Sequence, residues 1–264
     1  MKHFKFWVKE SFEINVKGTA QTINILSGSN VSLDDAVAEG QKRSLLIEQR
    51  IASGEPKEEY DVAIKEHIEQ RLDDDNVVSI CRYGAKVLNT TQYTILDLDD
   101  YPLDFLDIFR SLGGMSKKER IVYKFLSRIK KFPELGSDFR IYETTKGIRV
   151  IGKTYLDPTS RRAVSIMRKL AVDWIYIHLS RRQQCYRARL TPKPYRIKIP
   201  TIRVKTPMVC ETQEYHEWSN TYEKASQQYS VVKLMKTLGN DFSTDPAIKL
   251  HDTVCNTYKE LTLA

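Results

Sequence analysis

The chain has 264 residues, 41% hydrophobic and 29% charged, a balance that excludes an intrinsically disordered chain and suits a globular protein with a sizeable core. Its net charge of +8 makes a polyanion a natural class of partner. The four cysteines, Cys81, Cys185, Cys210 and Cys255, form no CxxC pair, no apolar run reaches the length of a membrane span, and residues 1–10 lack a secretory pattern, so the expectation is a cytoplasmic protein with reduced thiols, no zinc site and no membrane partner.

In chain order, HFKFWVKESFEINV alternates apolar and polar residues and predicts one or two strands. SNVSLDDAVAEGQKRSLLIEQRIASG predicts a long amphipathic helix with Ser32 as N-cap, acids in its first turn and Gly54 as its stop. PKEEYDVAIKEHIEQRL predicts a second helix opened by Pro56, closed by a DDDN turn. VVSICRY, KVLNT and YTILDLD predict three strands. A helical stretch over residues 103–131 follows, interrupted at Gly113-Gly114, with Ser116 capping its second half. FRIYETTKGIRVIGK predicts a hairpin around Lys146-Gly147, and PTSRRAVSIMRKLAV a helix with Pro158 near its start. DWIYIHL and CYRARLTPKPYRI read as extended or partly helical. From Thr212 onward the pattern is helical, with Trp218, Tyr222 and Tyr229 at core-facing spacing.

This mixture predicts an α+β fold: a central, mainly antiparallel, RRM-like sheet with helices packed on it and a helical C-terminal region. Residues 1–264 read as one domain with three subregions, an N-terminal strand and helix part (1–75), a core (76–205) and C-terminal helices (206–264).

Three stretches carry candidate chemistry. In LDLDD, Asp97 and Asp99 stand two apart on the predicted strand and therefore share a face, with Asp100 on the other. Two carboxylates on one face repel unless a cation offsets them, and Mg²⁺ or Mn²⁺ prefers such oxygen ligands. The competing reading is a solvated strand end in which DDYPLD forms a turn and helix cap. At the hairpin tip, Lys146 and Arg149 flank Gly147, whose freedom at positive φ would let a phosphate approach the backbone; an ordinary hairpin turn is the alternative. LSRRQQCYRARLTPKPYRIKIP carries Arg181, Arg182, Arg187, Arg189, Lys193, Arg196 and Lys198 interleaved with Tyr186 and Tyr195. That composition suits a phosphate backbone and stacked bases, or a solvated basic edge strand. His251-Asp252 reads as a packing or capping pair, because the histidines form no HxxxH pattern.

Taken together, LDLD, the TTKGIRV hairpin, Val172-Asp173 and the arginine-rich segment ending in TPKP resemble the catalytic core of archaeo-eukaryotic primase-polymerases. The resemblance spans residues 77–198. It implies that Asp97, Asp99 and Asp173 hold Mg or Mn, that Lys146, Arg149, Arg182, Arg187, Arg189 and Lys193 bind a nucleotide or a DNA or RNA phosphate, and that the activity is metal-dependent nucleotidyl transfer. That family's second motif ends in histidine, where this chain has Arg149, a side chain that holds phosphate but stays protonated. RYGAKVLNT, DPTS, YRARLTPKPYR and the late HD pair also resemble a widespread bacterial family that carries no assigned activity. Two other functions remain open: a non-catalytic nucleic-acid-binding module, and an interaction protein whose basic face meets an acidic partner.

Overall fold

The computed structural model describes residues 1, 3–55, 64–101 and 112–264. β1 (Phe6–Val16) and β2 (Thr19–Ser29) pair along their whole length as an antiparallel hairpin. α1 (Leu33–Ser53) lies on one face of it, where a Cβ added at Gly40 would fall 2.9 Å from the Phe12 ring and from Ser27 Oγ. Its ends are those the sequence predicts. The Ser32 hydroxyl accepts from the Asp35 N–H, and Gly54 takes the left-handed conformation, φ 70°.

β3 (His67–Arg71), β4 (Asn76–Ile80) and β5 (Lys86–Thr90) come next, followed by β6 (Thr94–Leu98) and α2 (Lys117–Ile129). Ser116 caps α2 in a reciprocal box with Glu119. β7 (Phe139–Glu143) and β8 (Ile148–Gly152) form the predicted hairpin, and α3 (Arg161–Lys169) the predicted helix. α4 (Trp174–Gln183), β9 (Tyr186–Arg189), α5 (Gln213–Ser226), β10 (Tyr229–Ser230), β11 (Lys233–Leu238), α6 (Pro246–Val254) and β12 (Thr262–Leu263) complete the order.

The α+β class is as the sequence predicts, but the strands divide among two four-stranded antiparallel sheets, ordered β11-β7-β8-β6 and β3-β4-β5-β9, the β1–β2 hairpin and a short parallel β10–β12 pair. In the first, Phe139, Ile141, Val150, Leu96 and Leu98 turn one face to Ile121 and Phe125 of α2 and Ile166 and Met167 of α3. In the second, Val87 packs with Tyr222 of α5, whose ring stacks on Trp218 at 4.7 Å.

Three predicted elements are corrected. His67–Arg71 is a strand paired with β4, not the end of a helix; the first half of that predicted helix, residues 56–63, lies outside the described residues. Residues 173–183 form a regular helix, because Asp173 caps it by accepting from the Tyr176 N–H at 2.9 Å. The helix from Thr212 stops at Ser226, and KLMKTL becomes β11 on the edge of the first sheet, where pairing with β7 overrides its helical pattern. The first half of the stretch predicted over 103–131 lies largely outside the described residues.

One side chain ties the two sheets together. The Tyr176 hydroxyl of α4 lies 2.9 Å from the Ile95 carbonyl of β6 and 3.1 Å from the Arg187 carbonyl of β9, and accepts from the Arg187 N–H at 3.3 Å. The burial that this bridge requires drives the phenol's pKa well above its ordinary value, so it stays a donor. Tyr176→Phe leaves these backbone groups without that partner and is expected to cost about 1–3 kcal/mol, measured by urea unfolding; an unchanged midpoint would show that the hydroxyl does not join the sheets.

Candidate functional site

The cross-strand register aligns Asp97 of β6 with Arg149 of β8, and Arg149 with Tyr142 of β7. Side chains directly opposite on one face of a sheet meet, and Arg149 Nε donates to Asp97 Oδ1 at 2.9 Å, with Nη2 3.4 Å from Oδ2. Asp97 keeps 30% of its side chain exposed, whereas Arg149 is buried. The paired Asp97 carboxylate holds the Arg149 guanidinium charged, raising its pKa against the opposing effect of burial.

β6 ends at Leu98, so Asp99 lies just beyond the strand, exposed to solvent. The reason is across the sheet: Leu98 pairs with Ile148, the first residue of β8, and past it the chain turns. Gly147 occupies that turn. It does not use the positive φ expected of it. It is needed for space: a Cβ there would sit 2.0 Å from the Leu98 carbonyl oxygen and 2.8 Å from the Asp99 Cα. The close approach is therefore to the β6 backbone, and it sets the exposed Lys146 beside the acidic end of β6.

Asp173 arrives at the same corner. Its backbone N–H donates to the Asp97 carbonyl at 3.3 Å, while its carboxylate caps α4 through Oδ1. The predicted acids Asp97, Asp99 and Asp173 are thus brought to one end of β6. Among the described residues, however, no three His, Cys, Asp or Glu side chains form a group that could hold a metal ion.

The predicted cations divide. Arg182 is exposed on the last turn of α4. Arg187 and Arg189 share a face of β9, as the alternation requires, but Arg187 is taken up by an ion pair with Glu66 at 2.5 Å. Arg189 is half-buried beside Tyr83, and its carbonyl accepts from Arg149 Nη1 at 2.9 Å. Past β9, Arg196 donates to the Thr145 hydroxyl at 3.0 Å, drawing the TPKPYR loop to the hairpin tip. Lys193 Nζ stands 5.9 Å from the centre of the Tyr195 ring, which is 62% exposed. Lys146, Lys193 and Arg196 thus lie on the hairpin tip and the loop drawn to it, with Lys193 facing a ring and Arg196 donating to a hydroxyl.

Sequence reasoning missed the polar row behind Asp97. Arg149 Nη1 also lies 3.4 Å from His251 Nε2, and His251 Nδ1 lies 2.9 Å from Asp252 Oδ1. Asp252 Oδ2 accepts from Arg140 at 2.8 Å and from the Tyr258 hydroxyl at 2.9 Å; Arg140 in turn holds Asp241 at 2.5 Å and the Tyr142 hydroxyl at 2.7 Å. Burial lowers the His251 pKa, but Cys255 and Asp252 outweigh it and push it up to about 9, with Arg149 opposing them. Burial also raises the Asp252 pKa, yet its hydrogen bonds and the charges of His251 and Arg140 hold it below its ordinary value. The sequence signal was the HD pair on the inward face of a Pro-started helix, which reads equally as packing.

A scan against protein-family models finds no match, and searches of curated proteins and of solved structures likewise find none.

Because Asp252 has a folded pKa below its unfolded value, its stabilising contribution is complete above about pH 4 and is lost as pH falls through the folded pKa. Wild type is expected to lose more stability between pH 5 and pH 2 than Asp252→Asn does, read from melting temperature against pH. Parallel curves would remove Asp252 from the acid-sensitive groups. At the hairpin tip, Gly147→Ala is expected to cost about 1–3 kcal/mol by overpacking, measured by urea unfolding; a neutral result would mean that the Leu98 backbone yields freely.

Proposed function

We propose that this protein is a primase-polymerase-like protein that binds a nucleotide or nucleic-acid phosphate, with the divalent ion that such phosphates carry, where the end of β6, the β7–β8 hairpin tip, the N-terminus of α4 and the loop after β9 meet. The observation that carries the reading is the bond from the Asp173 N–H to the Asp97 carbonyl. It brings the lone third aspartate of the resemblance beside the first acidic pair, from far along the chain.

The donor set supports an ion that arrives with its ligand rather than a resident one. Asp97 is partly neutralised by Arg149, and one oxygen of Asp173 caps a helix. Asp99 is exposed, and the described residues offer no closed cage. Mg²⁺ is commonly held by one or two carboxylates with phosphate oxygens and water completing its shell. Lys146, Lys193 and Arg196 supply the positive charge that phosphates require, and Arg149 fixes Asp97 instead of reaching the ligand itself. Nucleotidyl transfer is the activity that the resemblance implies for such a site.

The Asp97–Arg149 pair also favours a second reading, a nucleic-acid-binding module in which the aspartates hold no ion. The two are separated by fluorescence anisotropy with labelled ATP plus Mn²⁺ and with a labelled single-stranded oligonucleotide. The first reading expects ATP binding that requires Mn²⁺ and is abolished by Asp97→Ala with Asp99→Ala. The second expects oligonucleotide binding indifferent to those changes. In both, Lys193→Glu with Arg196→Glu weakens binding and flattens its salt dependence by about one in log–log slope for each phosphate that is no longer neutralised. No binding of either ligand by the wild type would contradict both.

A further inference from the structure

Arg149 has more donors than Asp97 can use. Nε and Nη2 face the carboxylate, and the two hydrogens of Nη1 have two neighbours, the Arg189 carbonyl and His251 Nε2. His251 is completely buried and cannot touch a ligand. It stands behind the guanidinium, on the side away from Asp97, and is itself anchored at Nδ1 by Asp252.

We propose that His251 is a positioning residue for Asp97, acting through Arg149. In the neutral ring, which forms as pH rises past about 9, the proton sits on Nδ1 and is given to Asp252, and Nε2 accepts from Nη1. The guanidinium plane is then held so that Nε and Nη2 stay on the carboxylate. A second proton, on Nε2, would set N–H against N–H and push Nη1 away. The grip on Asp97 therefore depends on the charge of an imidazole that no ligand reaches.

The groups around the ring make this coupling reciprocal. Arg149 faces it from β8, the Tyr142 ring from β7 at 5.1 Å, and Asp252 and Cys255 from α6 itself, with the Arg189 carbonyl of β9 next to Nη1. Arg140 and Tyr258 act on it through Asp252. Removing the Asp97 charge takes away an anion that favours the imidazolium. It also frees Arg149 to bond more fully to Nε2, which favours the neutral ring. Both changes act in one direction.

The first test needs no ligand. His251 is titrated by NMR in wild type and in Asp97→Asn, and the midpoint is expected to fall by about one pH unit in the variant. An unmoved midpoint overturns the proposal whatever the ligand data show. The second test rests on the reading of Asp97 as part of the binding site. Affinity for Mn²⁺ plus ATP is measured above the His251 midpoint, where the wild-type ring is neutral, in His251→Gln, whose side-chain oxygen can replace Nε2 as acceptor for Arg149, and in His251→Asn, which keeps only the donor to Asp252. Gln is expected to bind within a few-fold of wild type and Asn about tenfold more weakly. Equal losses in both overturn the positioning role. A shifted midpoint without any ATP binding upholds the coupling and removes the ligand reading instead.

Discussion

The ion pair between Arg149 and Asp97 is the contact on which the rest of the structure depends. A buried guanidinium left without its carboxylate costs about 3–5 kcal/mol, so the surrounding elements have to converge on it. β6 and β8 supply the pair, β9 supplies a carbonyl to Nη1, and α6 brings His251 and Asp252 against the face on which the pair lies. Beyond them, Arg140 and Asp241 continue the alternation of charge toward the surface. The first sheet thus has two unlike faces, one packed through apolar side chains and the other carrying the polar row beside the buried Ile95 and Ile151.

The proposed ligand site follows from this division. The polar row is satisfied internally, so little of Arg149 is left for a phosphate. What stays open is the rim at the end of β6, where Asp99 and Lys146 are exposed and the loop after β9 is drawn in by Arg196 and Thr145. Carboxylates beside lysines at a strand end suit a ligand that carries both phosphate and a divalent ion, because each charge of such a ligand then has a counterpart.

Much of the fold could be read from the chain because its local signals agree with its tertiary structure. Ser32 with Gly54, and Ser116 with Glu119, mark helix ends that the structure keeps. KLMKTL misled because its helical spacing is overridden by an open strand edge on β7, a partner no local window contains. Asp173 was legible as a candidate acid but not as the cap that makes DWIYIHL a helix. The strand spacing that singled out Asp97 and Asp99 applies only to Asp97, because β6 ends at Leu98. The row behind Asp97 could not be found. Arg140, Tyr142, Arg149, His251, Asp252 and Tyr258 are scattered over β7, β8 and the C-terminal segment, and only the register between strands and the docking of α6 brings them together.

Under the proposed function, a phosphate ligand and its divalent ion sit at the end of β6. Paramagnetic broadening of backbone amide signals by Mn²⁺, recorded with and without ATP, tests it most directly. The account predicts ATP-dependent loss of the signals of Asp99, Lys146, Gly147, Asp173 and Trp174, while those of β1 and β2 are untouched. Broadening centred elsewhere on the chain, or the same pattern with and without ATP, would contradict it.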